Sequence, residues 1–359
     1  VNPEVAREYL LKDKDILISR SGTIGRAFVF AADIHPECAY AGYLVRFVPT
    51  RQLNSRLFFY FTKSAAFSDW LQTQLIFSTI GNVNGQKYAQ CRLTLPPLPE
   101  QTAIAEFLDR ETGKIDGLVA EYRRLMELLK EIRQAVISHA VTKGLNPHAP
   151  MKPSGIEWLG DVPVGWSLKR LQNVCSFQSG KAHEPFICDD GIYKCVTSRF
   201  VSTEGTKCKM CSENISPAKM NDTLMVMSDL PNGRALAKAF FVGDDGAYAV
   251  NQRVCILRPF SAFPKYLYYL LDRNPEFLRH DDGINQTHLS NAEFLKPQFP
   301  FPPLVEQEAI AEFLDTELSK FDTLTAEAQR SIDLLQERRT ALISAAVTGQ
   351  IDVRHHPRN

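Results

Sequence analysis

Residues Leu95 to Asn146 recur without a gap 206 positions later, as Phe301 to Asp352. LPPLPEQTAIAEFLD returns as FPPLVEQEAIAEFLD, and ISHAVT (Ile137 to Thr142) returns as ISAAVT (Ile343 to Thr348); 29 of the 52 paired positions are identical. A repeat of this period makes the chain a tandem, and every local reading has to fit that frame.

Each copy has the marks of one long helix. Ile104, Leu108, Ile115, Leu118, Tyr122, Leu125, Leu129, Ile132 and Val136 follow alternating four- and three-residue steps, interrupted by Glu111. That is a heptad seam, which wants a partner helix. Pro96, Pro97 and Pro99 suit a first helical turn, while Gly144 and Pro147 stop the far end. About 40 helical residues at roughly 1.5 Å each give a rod of about 60 Å. The second copy keeps Ile310, Leu314, Phe321, Leu324, Leu335 and Leu342 but puts Ser331 and Arg338 on the seam, so its ends should pack better than its middle.

The rest of the chain falls into place around the two helices. In Lys12 to Phe30, a strand (Ile16 to Ser19), a Ser-Gly-Thr loop and a second strand (Ala27 to Phe30) follow one another, and Tyr43 to Val48 is a third strand. Arg56 to Gln74 is helical by its aromatic and apolar spacing; Phe77 to Tyr88 is a polar loop before a short strand, Cys91 to Leu95. After a Pro- and Gly-rich linker, Trp166 to Pro300 repeats this order: Asn221 to Val242 answers to Lys12 to Phe30, Val254 to Leu257 to Leu44 to Phe47, and Lys265 to Asn274 to the helix from Arg56. The expected division is 1–95, first variable domain; 96–145, first repeated helix; 146–163, linker; 164–300, second variable domain; 301–350, second helix; and 351–359, tail. The strand at Leu224 stands 58 residues after Trp166, whereas Leu17 has sixteen residues before it. By the repeat, roughly 40 residues of the first variable domain are missing at the N terminus.

The 359 residues carry no net charge, which neither requires nor excludes nucleic acid, since binding depends on where charge sits. No signal peptide opens the chain and no apolar run approaches the roughly 18 residues of a membrane span, so the expected location is the cytoplasm. Eight cysteines at irregular spacing fit a reducing compartment. Cys208 and Cys211 have the C-x-x-C spacing of a zinc knuckle, but Cys188 and Cys195 are too far apart to complete the pattern, and free thiols are the preferred reading.

Two variable domains alternating with two near-identical helices that begin PPLxEQxxIAxFLD resemble the specificity (S) subunit of type I restriction–modification systems. The motif is carried by Pro96, Pro97, Leu98, Glu100, Gln101, Ile104, Ala105, Phe107, Leu108 and Asp109, and again by Pro302, Pro303, Leu304, Glu306, Gln307, Ile310, Ala311, Phe313, Leu314 and Asp315. DILISRSGTIGR (Asp15 to Arg26) resembles the strand and loop of a target recognition domain. The resemblance implies an α+β fold: two target recognition domains of mixed short strands and helices, separated by two long antiparallel coiled-coil helices in a pseudo-twofold repeat. It also implies a non-catalytic adaptor that reads a split site in double-stranded DNA. Two methyltransferase subunits would bind its helices, and restriction-translocase subunits would join that core. S-adenosylmethionine, ATP and Mg would sit on those partners, with no cofactor on this chain. The helix motif itself, at Glu100, Gln101, Ile104, Phe107, Leu108, Glu306, Gln307, Ile310, Phe313 and Leu314, is the expected partner surface.

Base edges and phosphates call for Arg, Lys, Asn, Gln and small hydroxyls on loops. The first domain offers Ser19, Arg20, Ser21, Thr23 and Arg26, then Asn82, Asn84, Gln86 and Lys87. The second offers Gln178, Ser179 and Lys181; Thr197, Ser198 and Arg199; Asn232 and Arg234; and Asn285, Gln286, Thr287 and His288. The competing reading of such clusters is ordinary turn chemistry.

Enzyme readings fail on the residues. There is no glycine-rich cofactor loop with an Asn/Asp-Pro-Pro-aromatic motif, and SGTIGR (Ser21 to Arg26) lacks the lysine of a P-loop. The pairs Asp189–Asp190, Asp244–Asp245 and Asp281–Asp282 lie in Gly-containing turns, where adjacent acids are usually solvated. The alternatives are the DNA-reading chain of a combined restriction–modification system of another type and a standalone DNA-binding regulator with a coiled-coil spacer. Copurification with methylating subunits separates the restriction–modification readings from the regulator.

Overall fold

The structure, a computed structural model, describes residues 7, 9–34, 37–76, 81–229, 235–279 and 287–353. The chain forms two compact units, residues 1–127 with 325–359, and residues 128–324.

The first unit contains β1 (Ile16–Ser19), β2 (Ala27–Val29), β3 (Leu44–Phe47), α1 (Ser55–Phe61), α2 (Ala65–Ile76), α3 (Gly85–Tyr88) and the opening of α4 (Leu98–Lys143). β1 lies between its antiparallel neighbours, in the order β2-β1-β3. Ile16 and Ile18 are fully buried among Leu57, Phe61 and Phe67 of the helices and Ile104, Phe107 and Leu108 of α4. Asp15, just before β1, is buried; it accepts from the Lys12 amide at 2.7 Å and pairs with Arg46 at 2.6 Å.

The second unit begins with β4 (Met151–Pro153), β5 (Asp161–Pro163), β6 (Ser167–Arg170), β7 (Cys175–Ser179), β8 (Tyr193–Val196), α5 (Ser198–Ser202), β9 (Lys209–Cys211) and β10 (Thr223–Val226). It continues through β11 (Ser228–Asp229), β12 (Ala239–Phe241), β13 (Tyr248–Val250), β14 (Val254–Pro259), α6 (Pro264–Leu271), α7 (Pro275–Leu278) and β15 (Thr287–His288). α8 (Asn291–Leu295) and β16 (Gln298–Phe301) lead into α9 (Leu304–Val347). The order β12-β10-β14 repeats β2-β1-β3, with β7 added beyond β14. The buried carboxylate returns as well: Asp222 accepts from the Lys219 amide and pairs with Arg258, both at 2.7 Å.

Several expectations are corrected. The helix foreseen over Arg56 to Gln74 is two helices. Ser64 breaks it, donating to the Phe61 carbonyl at 2.7 Å and accepting from the Phe67 amide at 3.3 Å, so that one hydroxyl ends α1 and caps α2. Cys91 to Leu95 is not a strand. Its counterpart β16 is a strand because it pairs with β6, and among the described residues of the first unit nothing pairs with 91–95. The linker is ordered: β4 and β5 form a hairpin, Leu159 and Val162 are buried, and the Lys143 ammonium donates to the carbonyls of Leu159 and Asp161.

The long helices pack along a different stripe from the heptad seam. On α4 one sheltered stripe runs through Ile104, Leu108, Thr112, Ile115, Val119, Tyr122, Met126, Leu129, Arg133, Ile137 and Ala140. On α9 the matching stripe runs through the same eleven places, 206 residues on: Ile310, Leu314, Leu318, Phe321, Thr325, Ala328, Ile332, Leu335, Arg339, Ile343 and Ala346. The spacing averages 3.6 residues, the repeat of a helix without supercoil, and a strict 3.5-residue reading drifts off it by about 20° per heptad. Hence Leu118, Leu125 and Ile132, foreseen in the seam, are exposed. On α9, Leu324 and Arg338 are likewise exposed, and Ala328 and Ile332 fill the middle instead of Ser331 and Arg338. Pairing is antiparallel and reciprocal. In the first unit Arg339 donates to Asp116 at 3.1 Å; in the second Arg133 stands 3.7 Å from Asp322, and the shift of 206 exchanges the two pairs. Among the described residues no helix is long and apolar enough to cross a membrane.

The two stripes separate experimentally. Ile332→Ala, at a buried position, should cost about 2–4 kcal/mol in urea unfolding of the first unit. Leu125→Ala, at an exposed one, should cost less than about 0.5 kcal/mol; the reverse order would restore the heptad seam.

Candidate nucleic-acid interface

In the first unit the two loops proposed from sequence are knit into one surface. The β1–β2 loop turns through Gly22 and Gly25, at φ +69° and +84°, values that favour glycine; a side chain at Gly25 would also meet Leu71. The Ser19 hydroxyl donates to the Thr23 carbonyl and accepts from the Arg26 amide at 3.1 Å, so this buried serine holds the loop together. The second loop is tied on by the Val83 amide to the Arg20 carbonyl at 3.0 Å, by Arg20 Nε to Asn82 at 3.3 Å, and by the buried Tyr88 hydroxyl to the Ser19 carbonyl at 2.8 Å. Asn84 caps α3 by accepting from the Lys87 amide. Ser19, Arg20, Asn82 and Asn84 therefore shape the surface, whereas Thr23, Arg26 and Gln86 are exposed on it, with Ser21 and Lys87 half-buried.

Beside the first loop lies a concavity of about 870 Å³ lined by Ser21, Thr23, Arg26, Phe28, Tyr43, Phe59, Thr62 and Lys63, among others. Lys63 was missed from sequence, because reading 56–74 as one helix hid the turn that carries it. Its ammonium lies over the Phe59 ring at 4.6 Å. Burial, and after it the charges of Arg339 and Arg26, push its pKa below the ordinary lysine value, with Asp116 opposing. A cation held beside other cations gains from an incoming anion, and a phosphate oxygen supplies one.

The second unit presents its candidates on separate elements. Gln178 and Ser179 are exposed on the edge strand β7, Gln178 donating to Ser216 at 3.4 Å, and Lys181 follows, also exposed. Gly180 between them packs against the Asn251 backbone, where a side chain would collide. Thr197 caps α5, accepting from the Phe200 amide at 3.2 Å; Ser198 is half-buried and Arg199 exposed. Thr287 and His288 form β15, paired with Asp229 and Ser228 of β11. Asn232, Arg234, Asn285 and Gln286 lie outside the described residues.

The expected partner surface is corrected by the packing. Gln101, Ile104, Phe107 and Leu108, and in the other copy Gln307, Ile310 and Leu314, are buried inside their own units, against the variable domain that each helix follows. Glu306 is half-buried and accepts from the Trp166 indole at 3.1 Å. Glu100 is half-buried too, and of the ten only Phe313 is exposed, at 38% where Phe107 is 6%. All eight cysteines are free thiols, and among the described residues no three His, Cys, Asp or Glu side chains converge on a metal position.

A sheet-and-helix head repeated on each of two reciprocal helices, with polar loops at its surface, has the layout of a two-headed recognition protein. The model of the type I restriction modification DNA specificity domain matches residues 3–117 and 163–333, and the chain belongs to that family. It is a DNA sequence-specificity subunit of a type I restriction–modification system, non-catalytic by itself. The MjaVIII type I restriction enzyme specificity subunit of Methanocaldococcus jannaschii is 22% identical over 371 residues, covering 97% of this chain and 82% of that protein. The EcoKI specificity subunit of Escherichia coli is 22% identical over 375 residues, covering 97% and 77%. Among solved structures, a chain described for complex assembly and conformational transition of the type I R-M system superposes with a TM-score of 0.75 at 15% identity, covering 95% of this chain and 83% of that one. The HsdS subunit from Thermoanaerobacter tengcongensis gives 0.51 at 17%, covering 95% and 82%. These two likenesses speak to the fold.

If Lys63 meets a phosphate, Lys63→Ala should weaken binding about equally for all sequences and lower the salt slope of the assembled complex by about 1. Arg199→Ala should cost about 1–3 kcal/mol and relax one base position if that arginine reads a base. Binding titrations at several salt concentrations check both, and an unchanged slope removes Lys63 from the interface.

Proposed function

We propose that the chain reads a bipartite site in double-stranded DNA, one half-site per head, and holds two methyltransferase subunits, which restriction-translocase subunits then join in the cytoplasm. The observation that carries this reading is the recurrence of the head's central sheet, its buried ion pair and its helix. The β2-β1-β3 order, the buried Asp15–Arg46 pair and the attached helix all return in the second unit as β12-β10-β14, Asp222–Arg258 and α9. Two equivalent heads suit a duplex, whose backbone is itself twofold. S-adenosylmethionine, ATP and Mg belong to the partners in this reading, and this chain supplies sequence choice alone. The residues proposed to touch DNA are Thr23, Arg26, Gln86, Lys181, Arg199 and His288, all exposed, joined by Lys63, with the segments carrying Asn232, Arg234, Asn285 and Gln286.

The partner surface is proposed to lie on the outer face of the helices. Leu118 and Leu324 are twins under the shift of 206 and remain 50% and 47% exposed; Leu128 and Leu334 are also twins, at 45% and 55%. Each unit thus offers one of each, Leu118 with Leu334 and Leu324 with Leu128. Exposed leucine kept in both copies suits a partner helix.

Coexpression with the methyltransferase tests the reading. The chain should copurify with it, bind DNA poorly alone because residues 1–95 carry a balance of only +4 (eleven Lys/Arg, seven Asp/Glu) and 158–300 only +1 (sixteen, fifteen), and bind specifically in the complex. Leu118→Asp with Leu324→Asp should weaken copurification at least about tenfold while leaving the chain folded. Tight specific binding by the isolated chain would favour a standalone regulator.

A further inference from the structure

We infer that Gln101 with Asp109, and Gln307 with Asp315, form a polar latch that fixes the angle at which each head sits on its own helix, and that these positioning residues set the spacer tolerance of the complex. The inference rests on the bipartite reading above and adds to it the residues that hold each head in place.

The two latches are built alike, the first with one bond more, from Gln101 to the Gln52 carbonyl. In the first unit the Gln101 carboxamide accepts from the Asn54 amide at 2.8 Å and donates to the Gln52 and Pro96 carbonyls, both at 2.8 Å. Two turns along α4, Asp109 accepts from Arg56 and from the Tyr60 hydroxyl, both at 2.6 Å. In the second unit Gln307 accepts from the Phe263 amide and donates to the Pro302 carbonyl, both at 2.8 Å. Asp315 accepts from Lys265 at 2.5 Å and from the Tyr269 hydroxyl at 2.6 Å. The head-side residues Asn54, Arg56 and Tyr60 correspond to Phe263, Lys265 and Tyr269 by a constant shift of 209, three more than the shift of the helices. The same joint was therefore kept across a change in chain length between head and helix.

Adhesion between head and helix is apolar: Ile104, Phe107 and Leu108 sit in the core of the first unit, and Ile310 and Leu314 in that of the second. Apolar burial is non-directional, and a head held by it alone can rock on its seat. Hydrogen bonds are directional, and those of the Asp109 and Asp315 carboxylates are charge-assisted as well, so a glutamine and an aspartate anchor eight residues apart on one helix remove that freedom. Burial raises the Tyr60 and Tyr269 pKa values, with the carboxylates adding to the effect, which keeps both hydroxyls protonated as donors. A domain of about 100 residues has a radius of gyration of about 13 Å. At that radius a rocking of about 15° moves the reading surface by about 3.4 Å, one base-pair step.

The test is long-read mapping of adenine methylation in cells coexpressing the full chain with its methyltransferase partner. Tyr60→Phe combined with Asp109→Asn keeps volume and removes the latch bonds. The complex carrying the wild-type chain should methylate two half-sites at one spacer length. The variant should keep both half-site sequences while its discrimination against spacers one base pair longer or shorter falls about tenfold. An unchanged single spacer overturns the inference. So does relaxed base choice at a fixed spacer, or loss of methylation by a chain that still copurifies with its partner. If the double variant fails to assemble, Tyr60→Phe alone, which removes one hydroxyl, decides between the same outcomes. A wild-type map without paired half-sites would instead reject the bipartite reading itself.

Discussion

The burial of one helical stripe on α4 and its twin on α9 underlies the rest of the structure. Isolated helices draw little stability from propensity and most of it from packing an amphipathic face. Here the sheltered face falls at the helix's own period, so that packing continues over eleven positions without a change of face. Because both copies carry the stripe at equivalent residues, antiparallel pairing is self-complementary, as in an isologous contact. The exchange of Asp116–Arg339 for Arg133–Asp322 expresses that symmetry in charge. These ion pairs are partly exposed and add little energy; they oppose a slip in register.

The heads depend on the helices in turn. The core of the first unit includes Ile104, Phe107 and Leu108 beside Ile16, Ile18 and Leu57, and that of the second includes Ile310, Leu314 and Leu318 beside Leu257, Tyr266 and Phe299. The helix thus supplies one wall of each head. Internal identity is accordingly densest in Ala103 to Asp109 and Ala309 to Asp315, where a residue packs against the head on one side and the facing helix on the other.

What sequence could reveal followed from how local each signal was. The repeat, the long helices and the strand-loop-strand of each head are encoded in contiguous residues and were legible. The seam was misplaced because 3.5- and 3.6-residue spacings share Ile104, Leu108 and Ile115 and part at single-residue offsets, Glu111 against Thr112 and Leu118 against Val119. Ser64 was read as helix interior because its capping role depends on contacts with Phe61 and Phe67 rather than on a motif. At the candidate site, loop chemistry picked out the right segments but could not separate Ser19, Asn82 and Asn84, which build the surface, from Thr23, Arg26 and Gln86, which face outward. Lys63 joins Arg26 only through the fold.

The motif residues carry the same lesson for function. Near-identity between the copies suggested a surface shared by two partners, yet burial assigns most of that identity to the joint between head and helix. The two joints are related but unequal. Tyr60 also lies 3.2 Å from the Thr112 hydroxyl, where the twin position is Leu318, and Arg56 stands where the second unit has Lys265. A guanidinium is a planar fork and an ammonium a point charge, so the first latch has the more directional cation and one more polar neighbour. Orientation is thus defined by more bonds in the first joint, while the second leans more on apolar contact through Leu318.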